Sequence, residues 1–296
     1  MRIKIKRHTL ESKVDIKKRN NSRWRKYIPI NNIGFVYNCV FKQRKAFEYS
    51  LNQIRKIYPE SNIYVVSDGG FNYSYLGEEK VKIVMEEDTK SCLKLINEKN
   101  FLDKENQLSI KKEMGVTLRR VKEGIRFCNN PEWICMTEPD VIIRGRISYP
   151  EKANLLGMRV NYAWHNQKCL DMFMDINHLL SKIPGSIPIL RWGAVPVIFR
   201  TEIFYQAIEK YEQNFDLLNT LTEKYYNVGA FDLFLPIIFC LIGVEETFSN
   251  EFTECIRNPN WKKSKHPIVH QYRELYETDD FYYSDGSNYK DSQRNS

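Results

Sequence analysis

Apolar residues occur along the chain in two patterns, as short continuous runs and as stripes that recur every three or four residues. The continuous runs are rich in β-branched and aromatic side chains and predict four buried strands in the first half, at Ile33–Cys39, Asn62–Ser67, Val81–Met85 and Trp133–Met136. The stripes predict amphipathic helices over residues 47–58 and 114–125. Because strands and helices alternate, we expect an α/β fold with a mostly parallel sheet and helices on both faces.

The second half of the chain shows the same two patterns at longer intervals. Its apolar runs predict strands at Leu155–Arg159 and Val195–Phe199, and its stripes predict a helix at Glu202–Tyr211. The apolar segment Leu233–Val244 is too short to span a bilayer and contains a proline. We therefore expect a buried helix over Phe231–Leu241 and no transmembrane segment.

Charge divides the chain into three zones. Residues 1–26 contain 11 Lys/Arg and two acidic residues, whereas the remaining chain has 34 Lys/Arg against 35 Asp/Glu, a net charge of −1. We expect a flexible basic arm over residues 1–30, which could contact an anionic surface, and a neutral folded domain over residues 31–276. The polar, aperiodic residues 277–296 predict a disordered tail.

The cysteines and the N-terminal residues indicate in which cellular compartment the protein is expected. Seven cysteines without a C-x-x-C pair argue against a disulfide framework and against a zinc knuckle. The first residues are charged, and the apolar segment of a signal peptide does not follow them. We therefore expect a reducing, cytoplasmic location.

Polar or acidic residues lie at the carboxyl ends of four of the predicted strands, at Asn38, Asp68, Glu86–Asp88 and Glu138–Asp140. The carboxyl ends of parallel strands lie at one edge of a sheet, which is where such sheets bind their ligands. This placement predicts a site for a nucleotide and a metal ion.

The segment 133–143 is the most informative part of the sequence. A buried strand runs into Glu138 and Asp140, one residue apart, and the chain then becomes apolar again. Two such carboxylates can bind one hard cation, Mn²⁺ or Mg²⁺, which would neutralise a diphosphate. A solvated turn built on Pro139 is the alternative that the spacing leaves open.

Four short motifs follow one another between residues 32 and 145. They are Phe35-Val36-Tyr37-Asn38, Val66-Ser67-Asp68-Gly69-Gly70, Glu113-Met114-Gly115 followed by Arg119–Ile125, and Glu138-Pro139-Asp140. Together they resemble the nucleotide-binding half of GT-A glycosyltransferases, the family-2-like group in particular, whose D-x-D signature matches the last motif. Ser67, Glu113 and Glu138 depart from the family's residues. The resemblance implies a GT-A, Rossmann-like fold in a single domain.

The resemblance also implies a donor site. Tyr37 and Asn38 would lie near the nucleotide base, and Asp68 would hold the base or the ribose. Arg119 or Arg120 would approach the donor, which we expect to be a UDP- or GDP-sugar.

For the metal, the resemblance implies that Asp140 binds Mn²⁺ or Mg²⁺ and that Glu138 helps directly or through water. Many GT-A enzymes place a C-terminal histidine beside the metal or the diphosphate. His270, which follows the apolar pair Ile268-Val269, suits that position. A surface histidine is the alternative.

The resemblance is thinner in the second half. Trp192-Gly193-Ala194 resembles the glycine-containing acceptor loop of the family. Strict alignment puts the family's catalytic acid pair on Gly229-Ala230, so Asp232 is the nearest carboxylate and the candidate base for an acceptor hydroxyl. A structural acid at a helix N-terminus is the other interpretation of Asp232.

These observations favour a nucleotide-sugar-dependent glycosyltransferase that acts on a glycan or protein acceptor. A sugar-nucleotide pyrophosphorylase is a second hypothesis, although Val36–Lys45 lacks the glycine-rich phosphate loop that it needs. A non-catalytic nucleotide- or nucleic-acid-binding protein that uses the basic arm is a third. The motifs of P-loop NTPases, dinucleotide oxidoreductases, serine hydrolases and zincins do not occur.

Overall fold

A computed structural model describes the chain over residues 25–39, 44–68, 72–76, 79–86, 113–160, 167–189, 192–225, 231–248 and 261–270. The strands in these ranges are β1 Arg25–Tyr27, β2 Ile33–Cys39, β3 Ile63–Asp68, β4 Val81–Glu86, β5 Trp133–Thr137, β6 Val141–Ile143, β7 Ser148–Pro150, β8 Leu155–Val160, β9 Trp192–Arg200, β10 Thr247–Phe248 and β11 Ile268–His270. The α-helices are α1 Arg44–Ile57, α2 Glu113–Phe127, α3 Gln167–Leu180, α4 Thr201–Gln213, α5 Phe215–Lys224 and α6 Phe231–Leu241.

The main sheet has seven strands in the order β10-β8-β9-β5-β2-β3-β4. The neighbours β2–β3, β3–β4, β2–β5 and β8–β10 are parallel, whereas β9 is antiparallel to both β5 and β8. The predicted α/β class with a mostly parallel sheet is therefore confirmed.

The order of the strands reverses at β2. The chain moves outward from β2 to β3 and β4, and then returns to place β5 on the other side of β2. In doubly wound sheets a crevice forms outside the carboxyl ends of the strands at such a reversal, and ligands bind in it. In this sheet the reversal lies at β2, between the carboxyl ends of its neighbours β3 and β5.

Close packing fixes the inner part of the sheet. All seven residues of β2 are buried, and helix α2 packs against β2 and β3. A Cβ atom added to Gly124 would lie 2.6 Å from Cγ2 of Val36, so glycine is what allows α2 to approach β2 this closely. In α6, residues 233–241 are all buried, as expected for a helix that is apolar on every side.

Part of the expected basic arm belongs to the fold. Strand β1 pairs with β7, and the N–H of Ile28 donates to the carbonyl of Ile147 at 2.9 Å. The Ile28 side chain is buried in the core. Residues 1–24 of the arm and the tail 277–296 lie outside the described residues.

The expected acceptor loop Trp192-Gly193-Ala194 has a different structure from a loop. These residues begin β9, with Gly193 opposite Arg159 and Ala194 opposite Met158 in the antiparallel pair with β8. The neighbouring strand offers a ladder partner to each of them, so the chain extends the strand.

None of the helices in the described ranges is long and apolar enough to cross a membrane.

Candidate metal centre

Glu138, Pro139 and Asp140 form the turn between β5 and β6. The N–H of Val141 donates to the carbonyl of Glu138 at 3.1 Å and closes the turn, and proline at its second position has the backbone φ that such a turn requires. The preceding residue, Thr137, is in register with Tyr37 of β2. The two acids therefore lie just beyond the carboxyl end of β5, beside the strand at which the order reverses.

A strand from the end of the described chain brings the third residue to this turn. Strand β11 pairs with β6 in antiparallel orientation and puts His270 opposite Val141. The N–H of Arg144 donates to the carbonyl of Pro267 at 2.8 Å. Since hydrogen-bonded and non-hydrogen-bonded pairs alternate, Val141 and His270 form a non-hydrogen-bonded pair, the type in which side chains approach most closely.

The side chains of Glu138, Asp140 and His270 converge. One possible ligand atom from each lies within 4.8 Å of those of the other two, and Nε2 of His270 is 3.5 Å from Oδ1 of Asp140. Asp140 is 2% exposed and His270 is 5% exposed, while Glu138 is half-buried. An aspartate this deeply buried does not agree with a solvated turn.

The buried carboxylate of Asp140 has an unusual environment. Its Oδ1 atom accepts no hydrogen bond from the residues that the structure describes, and leaving a buried acceptor unsatisfied costs about 1–3 kcal/mol. A divalent cation would satisfy this oxygen. Two carboxylates and one imidazole are ligands that Mn²⁺ or Mg²⁺ accepts, so the residues present fit such an ion.

Tyr37 lies in the core, although the sequence placed it near a nucleotide base. Its side chain is 0% exposed, and its hydroxyl is 2.7 Å from Oγ of Ser50 on α1. Burial raises the pKa of Tyr37 well above its ordinary value, so the hydroxyl stays protonated. In this structure Tyr37 offers no surface to a donor.

The structure does bring Asn38, Arg119 and Arg120 together, around Glu86 at the carboxyl end of β4. Arg120 donates to Oε2 of Glu86 at 2.7 Å through Nη2 and to Oδ1 of Asn38 at 2.8 Å through Nη1. Arg119 donates to Oε1 of Glu86 at 2.9 Å. Desolvation acts to raise the pKa of Glu86, but the hydrogen bonds from the two arginines outweigh it, and the pKa lies below its usual value.

Two other expected site residues are described only by their backbone. Asp68 ends β3 in register with Glu86, and Asp232 is the second residue of α6. Both side chains, and the glycines at 69 and 70, lie outside the described part of the structure.

The sequence pattern does not identify the roles of two residues, Glu86 and Ser50. It puts Glu86 at a strand end without indicating a partner, and it does not single out Ser50. The available signal for Ser50 was its position one residue before Leu51, on the buried side of an amphipathic helix. A serine there requires a hydrogen-bond partner inside the protein.

The chain matches no protein-family model, and no curated protein is significantly similar to it. The chemistry of the site is therefore the basis for assigning a function to this chain.

Proposed function

We propose that the protein is a metal-assisted glycosyltransferase of the GT-A type, which transfers a sugar from a nucleoside diphosphate sugar to a hydroxyl group of an acceptor. One observation carries this proposal. The buried cluster of Glu138, Asp140 and His270 lies at the carboxyl end of β5, beside the reversal of strand order. Open α/β sheets bind nucleotides at such reversals.

Glu138, Asp140 and His270 would hold the Mn²⁺ or Mg²⁺ ion, which supplies positive charge to the diphosphate leaving group when bound. Without a cation, the two carboxylates would repel a diphosphate. The site's own charge therefore makes nucleotide binding depend on the metal.

The arginine cluster defines the side from which a donor would approach. The Arg119 side chain is 46% exposed, whereas that of Arg120 is 8% exposed. Arg119 is therefore the arginine that can reach a donor, and Arg120 acts by orienting Asn38 and Glu86. Asp232 remains the candidate base, and its assignment rests on the family resemblance alone.

The proposal is tested by calorimetric titration of UDP, with GDP and TDP in parallel, in the presence of Mn²⁺ and in EDTA. We expect each ligand to strengthen binding of the other by about 1–3 kcal/mol, and this coupling must be reciprocal. The Asp140→Asn variant should lose the coupling. A matched control is Asp216→Asn, which removes an exposed carboxylate on α5 and should keep it.

Wild-type protein that binds none of these nucleotides, or binds them equally well in EDTA and in Mn²⁺, would remove the support for a metal-assisted transferase.

A further inference from the structure

We propose that Tyr37 and Ser50 are positioning residues for the candidate metal centre. Their hydroxyls form two consecutive buried hydrogen bonds that hold the backbone carbonyl of Val141. The three candidate ligands are arranged around this residue. This inference depends on the proposed metal site. It goes beyond that site because it assigns a role to two side chains that do not reach the ion.

The direction of the hydroxyl chain follows from its chemistry. Oγ of Ser50 is 2.7 Å from the carbonyl oxygen of Val141, and a carbonyl can only accept. Ser50 therefore donates its single proton to Val141 and must accept the proton of Tyr37, which lies 2.7 Å away on the other side. The chain runs from Tyr37 through Ser50 to the Val141 carbonyl.

Val141 is the residue that relates the three ligands to one another. Asp140 precedes it directly, its N–H holds the carbonyl of Glu138 in the turn, and His270 is its partner on β11. Because Val141 and His270 form a non-hydrogen-bonded pair, both backbone groups of Val141 point away from β11. The N–H is held by Glu138 and the carbonyl by Ser50, so the two peptide groups on either side of the Val141 Cα have little freedom to shift.

The cost of burying two hydroxyls supports a positioning role for the pair. Tyr37 and Ser50 are both 0% exposed, and a buried hydroxyl is unfavourable unless it is hydrogen-bonded. Ser50 alone would satisfy the Val141 carbonyl. The contribution of Tyr37 is to fix the orientation of the Ser50 hydroxyl. The oriented hydroxyl holds the Val141 carbonyl in place and so limits movement of the adjacent residue Asp140.

The test measures binding of Mn²⁺ alone to the full chain, from the electron paramagnetic resonance signal of free Mn²⁺. Residues that orient metal ligands typically contribute 10–100-fold to metal affinity. We expect Tyr37→Phe to weaken Mn²⁺ binding by about 10-fold, the lower end of that range, because it acts through Ser50 and the backbone.

The matched control is Tyr58→Phe. Tyr58 is equally buried, and its hydroxyl accepts a hydrogen bond from the N–H of Ile147 at 2.8 Å. Both variants therefore remove one buried hydroxyl. Urea unfolding should show comparable losses of stability, whereas only Tyr37→Phe should lose Mn²⁺ affinity.

A second pair of variants decides the question if Tyr37→Phe fails to fold. Ser50→Ala should weaken Mn²⁺ binding, and Ser61→Ala should not, because Ser61 donates to the carbonyl of Ile30 at 3.0 Å, away from the candidate ligands.

The possible failures are distinguishable. Wild-type affinity for Mn²⁺ in both Tyr37→Phe and Ser50→Ala would overturn the positioning role and leave the metal centre standing. Wild-type protein that binds no Mn²⁺ would overturn the metal centre and the positioning role together.

Discussion

Replacement of Asp140 by asparagine should make the protein more stable than wild type without metal and less stable than wild type when Mn²⁺ is saturating. The substitution keeps the shape of the side chain and removes its charge. In the metal-free protein Asp140 is buried, and its Oδ1 has no hydrogen-bond donor among the described residues. An amide nitrogen at that position could donate to Nε2 of His270, which is 3.5 Å from the oxygen it replaces. We expect metal-free Asp140→Asn to be more stable than metal-free wild type by about 1–3 kcal/mol.

Mn²⁺ should stabilise wild type and leave Asp140→Asn almost unchanged. A ligand at about 100 times its dissociation constant stabilises the native state by about 2.7 kcal/mol. For a domain of this size that gain corresponds to a rise in Tm of about 5–10 °C. Wild type should show this rise with Mn²⁺, whereas Asp140→Asn should show almost none.

Thermal unfolding followed by calorimetry, in EDTA and at increasing Mn²⁺, measures both quantities. Asp216→Asn again serves as the control and should keep the full response to Mn²⁺. If metal-free Asp140→Asn is instead less stable than metal-free wild type, the carboxylate stabilises the fold through its contact with His270, and the reasoning from the unsatisfied oxygen is refuted.

Two further predictions concern residues that hold the elements around the site in place. The pKa of Glu86 is lowered in the fold, so its stabilisation is present above the unfolded-state value of about 4.3 and is lost as pH falls through the folded-state value. Glu86→Gln should lower the free energy of unfolding at pH 7 by about 1–3 kcal/mol and show a smaller loss towards pH 3 in urea titrations; identical pH dependence would contradict this. Gly124→Ala should destabilise by about 1–3 kcal/mol despite alanine's higher helix propensity, because its Cβ would overlap Val36. A more stable alanine variant in the same titration would contradict the close packing.

The elements that the sequence predicted correctly are those determined by local pattern. Ile33–Cys39 and Phe231–Leu241 have the expected bounds, because both are predominantly apolar: the first is a short run with β-branched and aromatic side chains, and the second is too long for an ordinary buried strand. The pairing of β6 with β11 could not be predicted from the sequence. Each strand has three residues, and nothing local indicates that His270 should lie opposite Val141.

The geometry of a strand explains why the expectation for Tyr37 differs from its position. Successive side chains of a strand point to opposite faces of the sheet, so Tyr37 and Asn38 cannot both face the same ligand from within β2. Asn38 ends up with Arg120 at the strand's end, and Tyr37 packs edge-on against Phe47 of α1. The alternation of the strand therefore puts the two residues of the motif in different environments.

The charges at the carboxyl edge of the sheet explain why a diphosphate would need a cation in order to bind there. Arg119 and Arg120 are matched by Glu86, and Glu123 lies 3.8 Å from Arg119, so these four residues carry no net charge. A nucleoside diphosphate with about two to three negative charges would gain little there unless Glu86 were displaced. The carboxylates of the turn add further negative charge, and charges exposed to solvent elsewhere are screened by salt within about 10 Å. A divalent cation in the cluster would offset the charge of its carboxylates and make the local potential more favourable for the proposed diphosphate. A comparison of nucleotide affinity in EDTA and in Mn²⁺ therefore tests whether a cation at these acids is what allows a diphosphate to bind.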